Sequence, residues 1–178
     1  MNYDKIQLSP IERTIVGLAG IMYDEEINVL IERYPQIDNC KKEIEEAFIK
    51  QTQWDMKKGR PYVIKGSEIL EKRMESETIF KGFTGTAGGF YGPQGRVLRL
   101  GIQDPELNSK MDSFEFEGIK MTNLEMETGA IYGLGKLLGH ECLSLNAIIA
   151  NRATGTFSDD PYKAVDALIE YALDKLAE

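Results

Sequence analysis

The chain has 178 residues, the length of one compact domain, and its hydrophobic content of 42% and charged content of 28% are typical of a globular protein. These values exclude disorder, collagen and coiled coil as descriptions of the whole chain. The 21 Lys and Arg residues face 29 Asp and Glu residues, and the net charge of -8 disfavours nucleic acid as a partner because most of the surface would repel phosphates. The longest apolar runs, such as residues 143–150, are shorter than the roughly 18 residues of a membrane helix, so no membrane span is predicted.

The cysteine and histidine content predicts neither a disulfide nor a metal site. Cys40 and Cys142 are far apart and belong to no Cys/His cluster, which favours two reduced thiols in a cytoplasmic protein. The N-terminus shows no secretory signal pattern. The only histidine, His140, follows a predicted helix end, where a structural role is expected because the helix dipole favours a cation there.

Strand and helix patterns alternate along the chain. Residues 11–34 match neither the helical nor the strand repeat of apolar residues, because glycines interrupt the apolar pattern. Beyond them, we predict helices over residues 40–54, 68–75, 105–114, 125–138 and 161–176, and strands over residues 61–65, 79–87, 120–124 and 142–150. The expected helix caps are Ser67, Asp104 and either Thr122 or Asn123. The alternation predicts an α/β fold, with a mainly parallel or mixed sheet flanked by helices and residues 142–150 as a buried parallel strand.

A polar loop follows the second predicted strand of the sheet. This 90–96 loop reads Phe90-Tyr91-Gly92-Pro93-Gln94-Gly95-Arg96. The Gln94 amide offers a donor and an acceptor side by side, which matches the alternating carbonyl and N–H groups of a uracil edge, and Arg96 can meet the remaining carbonyl. The alternative is a surface turn whose side chains are solvated.

Two further places at strand ends carry polar side chains. Glu125-Met126-Glu127 could hold vicinal sugar hydroxyls and favour a cationic transition state; alternatively, the two carboxylates stabilise the start of a helix. Asn151-Arg152 follows the last predicted strand, and here the alternative is an arginine in water. No GxGxxG or P-loop pattern is present, so no fingerprint of a dinucleotide or nucleoside triphosphate site is found.

Together these motifs resemble the nucleoside phosphorylase family, most closely its uridine phosphorylases. The 90–96 loop resembles the family's pyrimidine-reading loop, residues 123–128 its ribose-binding motif, and residues 148–152 the segment that closes over the base. The resemblance covers residues 39–178 as one nucleoside phosphorylase-like domain. Residues 1–38 match poorly, through Gly17-Leu18-Ala19-Gly20, where the family usually has an aspartate in place of Ala19.

The resemblance implies roles for individual residues. Base binding falls to Phe90, Gln94, Arg96 and Arg152, and ribose binding to Glu125, Met126 and Glu127. The implied reaction is reversible phosphorolysis of a pyrimidine nucleoside such as uridine to free base and ribose 1-phosphate. It uses inorganic phosphate as co-substrate, no cofactor and no metal, in a homo-oligomeric pentosyltransferase of the cytoplasm.

Family members are longer, and their first half holds the phosphate site, so we expect this chain to be truncated at the N-terminus. No phosphate-binding residues are assigned. The alternative function is a catalytically inactive fragment that binds base and ribose or serves a structural role. A purine nucleoside hydrolase is less favoured, because such enzymes usually carry an aspartate where this chain has Asn151-Arg152.

Overall fold

The computed structural model of the chain describes residues 14–22, 42–152 and 154–178, and of residues 14–22 it describes the backbone. The strands are β1 (Thr14–Met22), β2 (Tyr62–Lys65), β3 (Phe80–Thr86), β4 (Glu115–Phe116), β5 (Ile119–Glu125), β6 (Ser144–Ala147), β7 (Ala150–Asn151) and β8 (Thr156–Phe157). The helices are α1 (Lys42–Thr52), α2 (Glu68–Arg73), α3 (Leu107–Ser113), α4 (Thr128–Leu137) and α5 (Pro161–Ala177).

Six of the described strands form one mixed sheet, which confirms the predicted α/β class. Its centre is parallel, with β3 between β1 and β5, and its outer strands β2, β4 and β6 pair antiparallel with their neighbours. Met22 pairs with Thr86, and Thr86 pairs with Glu125, so the carboxyl ends of β1, β3 and β5 lie at one edge. Strands β7 and β8 form a separate two-stranded sheet.

The main core lies between this sheet and the helices α1 and α3. Phe114 is fully buried. Its ring packs edge-on against Phe48 of α1, with centroids 5.1 Å apart, and lies tilted against the ring of Phe83 of β3 at 5.5 Å. The apolar positions that predict the first helix, Ile44 and Phe48, both face this core, and Trp54 just beyond the helix joins them. Burying these aromatic side chains supplies much of the hydrophobic driving force of the domain.

Helix starts differ from the predictions at two of the three caps. Ser67 accepts the N–H of Leu70 at 3.1 Å and caps α2 as predicted. Asp104 instead accepts the N–H of Glu106 at 3.2 Å, and α3 starts at Leu107. Thr122 and Asn123 lie within β5 and do not cap α4, because backbone pairing with β3 continues to Glu125 and keeps this segment extended.

The strand predicted over residues 142–150 is shorter than expected and runs the other way. Strand β6 pairs antiparallel with β1 and is half-buried, so the prediction of a buried parallel strand is wrong here. The alternation of Ser144, Leu145, Asn146 and Ala147 suits a strand with one face towards the core and one partly in solvent. Residues 148 and 149 interrupt the pairing, and β7 begins a separate hairpin.

The predicted N-terminal segment contributes a strand to this sheet. Of residues 1–38, only 14–22 are described, and they form β1 beside β3; the rest of that segment and Cys40 lie outside the described residues. Within the described part of the chain, no helix is both long enough and apolar enough to cross a membrane.

Candidate functional site

The 90–96 loop leaves the sheet just beyond the end of β3 and folds into a tight turn. Gly92, Pro93 and Gln94 form one 3-10 turn, and the N–H groups of Gln94 and Arg96 both donate to the carbonyl of Tyr91, at 3.1 and 2.9 Å. Gly95 adopts a left-handed conformation with φ of +70° that suits glycine. The turn holds the side chains of Gln94 and Arg96 in a short, hydrogen-bonded segment.

Gln94 is the centre of the predicted base-binding residues. It is only 3% exposed, and its Oε1 accepts from Nη1 of Arg96 at 2.6 Å and from Nη2 of Arg152 at 2.9 Å. Nη1 of Arg152 also donates to the Gln94 carbonyl at 2.6 Å. The structure therefore brings together Gln94 and Arg152, which are 58 positions apart in sequence, and their binding of a base stays a prediction.

The two guanidinium groups orient the Gln94 amide. Both donate to Oε1, so the Nε2 group is the half of the amide left to donate to a ligand carbonyl, with no acceptor for it among the described residues. The N–H of a uracil edge would compete with a guanidinium for Oε1. This geometry places two positive charges beside the position where a bound base would meet Gln94.

Phe90 is half-exposed and already contacts Arg96. The Arg96 guanidinium lies over the Phe90 ring, 3.5 Å from its centroid, and Nη1 donates to the Phe90 carbonyl. Stacking of a guanidinium on an aromatic face is a favourable cation–π arrangement. One face of the ring is thus covered, and a base that contacts Phe90 has to use the ring's other face or its edge.

Glu125 fastens the start of α4. Its Oε2 accepts the N–H groups of Glu127 at 2.7 Å and Thr128 at 2.6 Å, and its Oε1 accepts from the hydroxyl of Thr86. These bonds satisfy N–H groups at the helix start and place a negative charge where the helix dipole favours it. The helix-stabilising alternative for Glu125 thus has a direct structural basis, and its contact with ribose stays a prediction.

Glu127 and Met126 are exposed where the chain leaves β5. Oε2 of Glu127 accepts the N–H of Met126 at 3.1 Å, which turns this carboxylate back over the junction between strand and helix. Because Thr86 and Glu125 are partners in register, the 90–96 loop and residues 125–127 leave the same edge of the sheet. The ribose-binding roles of Glu125, Met126 and Glu127 remain predictions.

Two buried threonines of β3, which the sequence does not single out, hold the carboxyl edge of the sheet through their hydroxyl groups. The Thr86 hydroxyl, 1% exposed, accepts the N–H of Gly129 at 2.8 Å while it donates to Glu125. Thr84, two positions earlier on the same face of β3, donates to Asn123 at 2.8 Å. The alternation of Thr84 and Thr86 along a strand is the signal that could have indicated a polar face here.

A second supporting contact joins α4 to β6. The hydroxyl of Tyr132 accepts the N–H of Ser144 at 2.7 Å, and burial raises the pKa of Tyr132 to about 12. Thr128, one of the two residues whose N–H groups Glu125 accepts, donates from its hydroxyl to the Ser144 hydroxyl at 3.2 Å. His140, in contrast, is exposed after the end of α4 and makes a backbone bond to Gly135.

Comparison with known proteins gives matches at the level of structure. No protein-family model matches the sequence, and no curated protein matches it. A nucleoside phosphorylase of Trypanosoma brucei, described as showing uridine phosphorylase activity, is 21% identical with a TM-score of 0.75, and the match covers 96% of this chain and 59% of that one. A structure from a study of two uridine phosphorylases of the oomycete Phytophthora capsici is 16% identical with a TM-score of 0.56, and covers 92% of this chain and 58% of that one.

Both matched structures extend well beyond the region that this chain matches. This chain spans less than two thirds of the length of either structure and is itself covered almost completely. The mixed sheet and its flanking helices, described above, are the part of the fold that these matches cover. The chain has the fold of the nucleoside phosphorylases, including uridine phosphorylases.

Proposed function

We propose that this chain forms the base-binding and ribose-binding part of a pyrimidine nucleoside phosphorylase, a pentosyltransferase that acts on uridine. The observation that carries the proposal is the convergence of the Arg96 and Arg152 guanidinium groups on the buried Gln94 amide, beside the exposed Phe90. The sequence motif predicts these residues as a base-reading set, and the fold match to nucleoside phosphorylases supports the same function.

The charges in the site suit the charges that develop in this reaction. When the glycosidic bond breaks, negative charge grows on the departing base and positive charge grows on the sugar. Arg96 and Arg152 would stabilise the base, with Gln94 donating from Nε2 to a carbonyl of its edge. Glu127 would face the sugar, where a carboxylate accepts hydrogen bonds from hydroxyl groups and stabilises the positive charge.

The proposal includes the co-substrate, the assembly and the location. Inorganic phosphate would be the nucleophile, and no cofactor or metal is required. The protein would act in the cytoplasm as a homo-oligomer. A phosphate-binding residue is not assigned to any described position.

Two measurements on the 178-residue chain test the proposal. Calorimetry with uridine and cytidine measures binding and selectivity, and an assay of uracil released from uridine in phosphate buffer, with a phosphate-free control, measures turnover. We expect uridine to bind more tightly than cytidine. Phosphate-dependent release of uracil would support the enzyme, binding without release would support the alternative of an inactive base-binding chain, and no binding of either nucleoside would contradict the proposal.

A further inference from the structure

Asn108, in the first turn of α3, contacts the 90–96 loop at Gly95. Its Nδ2 donates to the carbonyl of Gly95 at 3.3 Å. Its Oδ1 is buried and accepts no hydrogen bond from any residue that the structure describes. A buried acceptor without a donor opposes folding, which points to a role for this side chain other than stabilising the fold.

The Asn108 side chain fits against the bare Cα of Gly95. A Cβ added at Gly95 would lie 2.3 Å from Oδ1 and 2.8 Å from Nδ2 of Asn108, closer than atoms can approach. The absence of a side chain at Gly95 therefore permits both its left-handed backbone and the close approach of the amide. The two residues form one interlocked contact.

This contact connects the loop to the core. The backbone hydrogen bonds at Gln94, Gly95 and Arg96 stay inside the loop, with acceptors at Tyr91 and Gly92. Helix α3 is held by its buried residues Leu107 and Met111 and is therefore a firm support. Arg152 provides another connection to the loop, but its guanidinium is one of the groups predicted to bind the base.

We propose that Asn108 is a positioning residue, which fixes the direction of the Gln94 amide and the Arg96 guanidinium and so sets the discrimination between uracil and cytosine edges. The inference rests on the proposed function for its ligand. Gly95 lies between the two reading residues, so a shift of its carbonyl moves both side chains. A site that reads polar edges loses selectivity when its donors and acceptors move from their positions.

The first test is made without ligand and measures how firmly the loop is held. Asn108→Asp keeps the size of the side chain and removes the donor, Asn108→Ala removes the contact, and Ser109→Ala is the matched control at the neighbouring exposed position. We expect the amides of Gly95 and Arg96 to exchange hydrogen about tenfold faster in both Asn108 variants, with amides of β3 unchanged. Wild-type exchange rates at Gly95 and Arg96 would overturn the proposal.

The second test measures selectivity by calorimetry with uridine and cytidine. We expect the ratio of the two dissociation constants to fall about tenfold in Asn108→Asp and to stay at the wild-type value in Ser109→Ala. An unchanged ratio in Asn108→Asp would overturn the role in selectivity. If the wild-type chain binds neither nucleoside, the proposed function fails and with it the selectivity role, whereas the exchange experiment separately decides whether Asn108 holds the loop.

Discussion

At the scale of single residues, the side chains of the candidate site already form hydrogen bonds with one another in the absence of a ligand. Gln94 is buried and accepts from two guanidinium groups, and one of these also lies over the Phe90 ring. A base bound as proposed would meet the Nε2 donor of Gln94, which has no acceptor among the described residues, but its N–H would compete with the two guanidinium groups for Oε1. Its affinity would therefore depend on how its contacts compare with those that Gln94 and Arg96 already make with each other.

The role of Arg96 can be tested by substitution. In Arg96→Ala we expect uridine to bind about 10- to 100-fold more weakly and the preference over cytidine to narrow, because a charged hydrogen bond to the base edge is lost. In Arg96→Lys we expect partial recovery of affinity without selectivity, since a lysine lacks the planar fork. Calorimetry measures both effects.

Arg99→Ala is the matched control for this prediction. Arg99 lies three residues after Arg96 in the connection between β3 and α3, is exposed and carries the same charge. A loss of uridine affinity in Arg99→Ala equal to that in Arg96→Ala would show that the effect comes from net charge rather than from contact with the base.

At the scale of secondary-structure elements, one connection supports the edge of the sheet and a second supports α3. Thr86 at the end of β3 bonds to Glu125 at the end of β5 and to Gly129 in α4, so one hydroxyl joins three elements. In front of α3, Asp104 accepts from Lys58 at 2.8 Å and from Lys110 at 3.0 Å. The first connection supports residues 125–127, and the second supports the helix that carries Asn108.

The Thr86 connection predicts a difference between two conservative variants. Thr86→Val keeps the shape but leaves the N–H of Gly129 without its acceptor and Glu125 without one donor, so we expect a loss of about 1–3 kcal/mol in the free energy of unfolding. Thr86→Ser keeps the hydroxyl and should lose less. Urea unfolding measures both, and equal losses would show that the methyl group, not the hydroxyl, matters.

The Asp104 connection predicts a dependence of stability on pH. Burial raises the pKa of Asp104, but hydrogen bonds from Lys58 and Lys110 lower it more, and the net pKa lies below its ordinary value of 3.8. A carboxyl with a lowered pKa in the folded state stabilises the fold above its unfolded pKa, and this stability is lost as the pH falls through the folded pKa. We therefore expect part of the acid destabilisation below about pH 4 to come from this group.

Asp104→Asn should remove that part of the pH dependence. The free energy of unfolding, measured in urea between pH 7 and pH 3, should fall less steeply in this variant than in the wild type. A wild-type slope in Asp104→Asn would contradict the role given to the two lysines.

At the scale of the whole molecule, one aromatic cluster joins the elements that carry the site. Phe114 precedes β4, contacts Phe48 of α1 and Phe83 of β3, and is fully buried. β3 leads into the 90–96 loop, and α3 carries Asn108 and ends next to Phe114. The cluster thus fixes the positions of the strand and the helix between which the loop is held.

Truncation of Phe114 should destabilise the whole fold. For Phe114→Ala we expect a loss of about 3–5 kcal/mol in the free energy of unfolding, because a large buried ring is replaced by a cavity. Leu100→Ala is the control, since Leu100 is 83% exposed, and it should change the free energy by no more than about 0.5 kcal/mol. A similarly small change in Phe114→Ala would contradict this account of the core.

Local patterns in the sequence determined most of the elements and the membership of the predicted base-binding group. The spacing of Ile44 and Phe48 predicts α1, Ser67 predicts the start of α2, and the α/β alternation predicts the class of the fold. Gln94 and Arg96 lie two positions apart in a loop, so their proximity follows from sequence, and Arg152 joined them through the resemblance to a known family. These features depend on residues close together in sequence and on the chemistry of their side chains, and both can be read from the sequence alone.

Tertiary structure alone decided the direction of β6, the start of α4 and the contact between Asn108 and Gly95. Strand direction depends on which neighbour accepts the backbone hydrogen bonds, and β6 meets β1, far away in sequence, in antiparallel register. The start of α4 moved to Thr128 because β5 stays paired with β3 as far as Glu125. Asn108 and Gly95 belong to no shared motif, and their contact exists only because the core places α3 beside the loop.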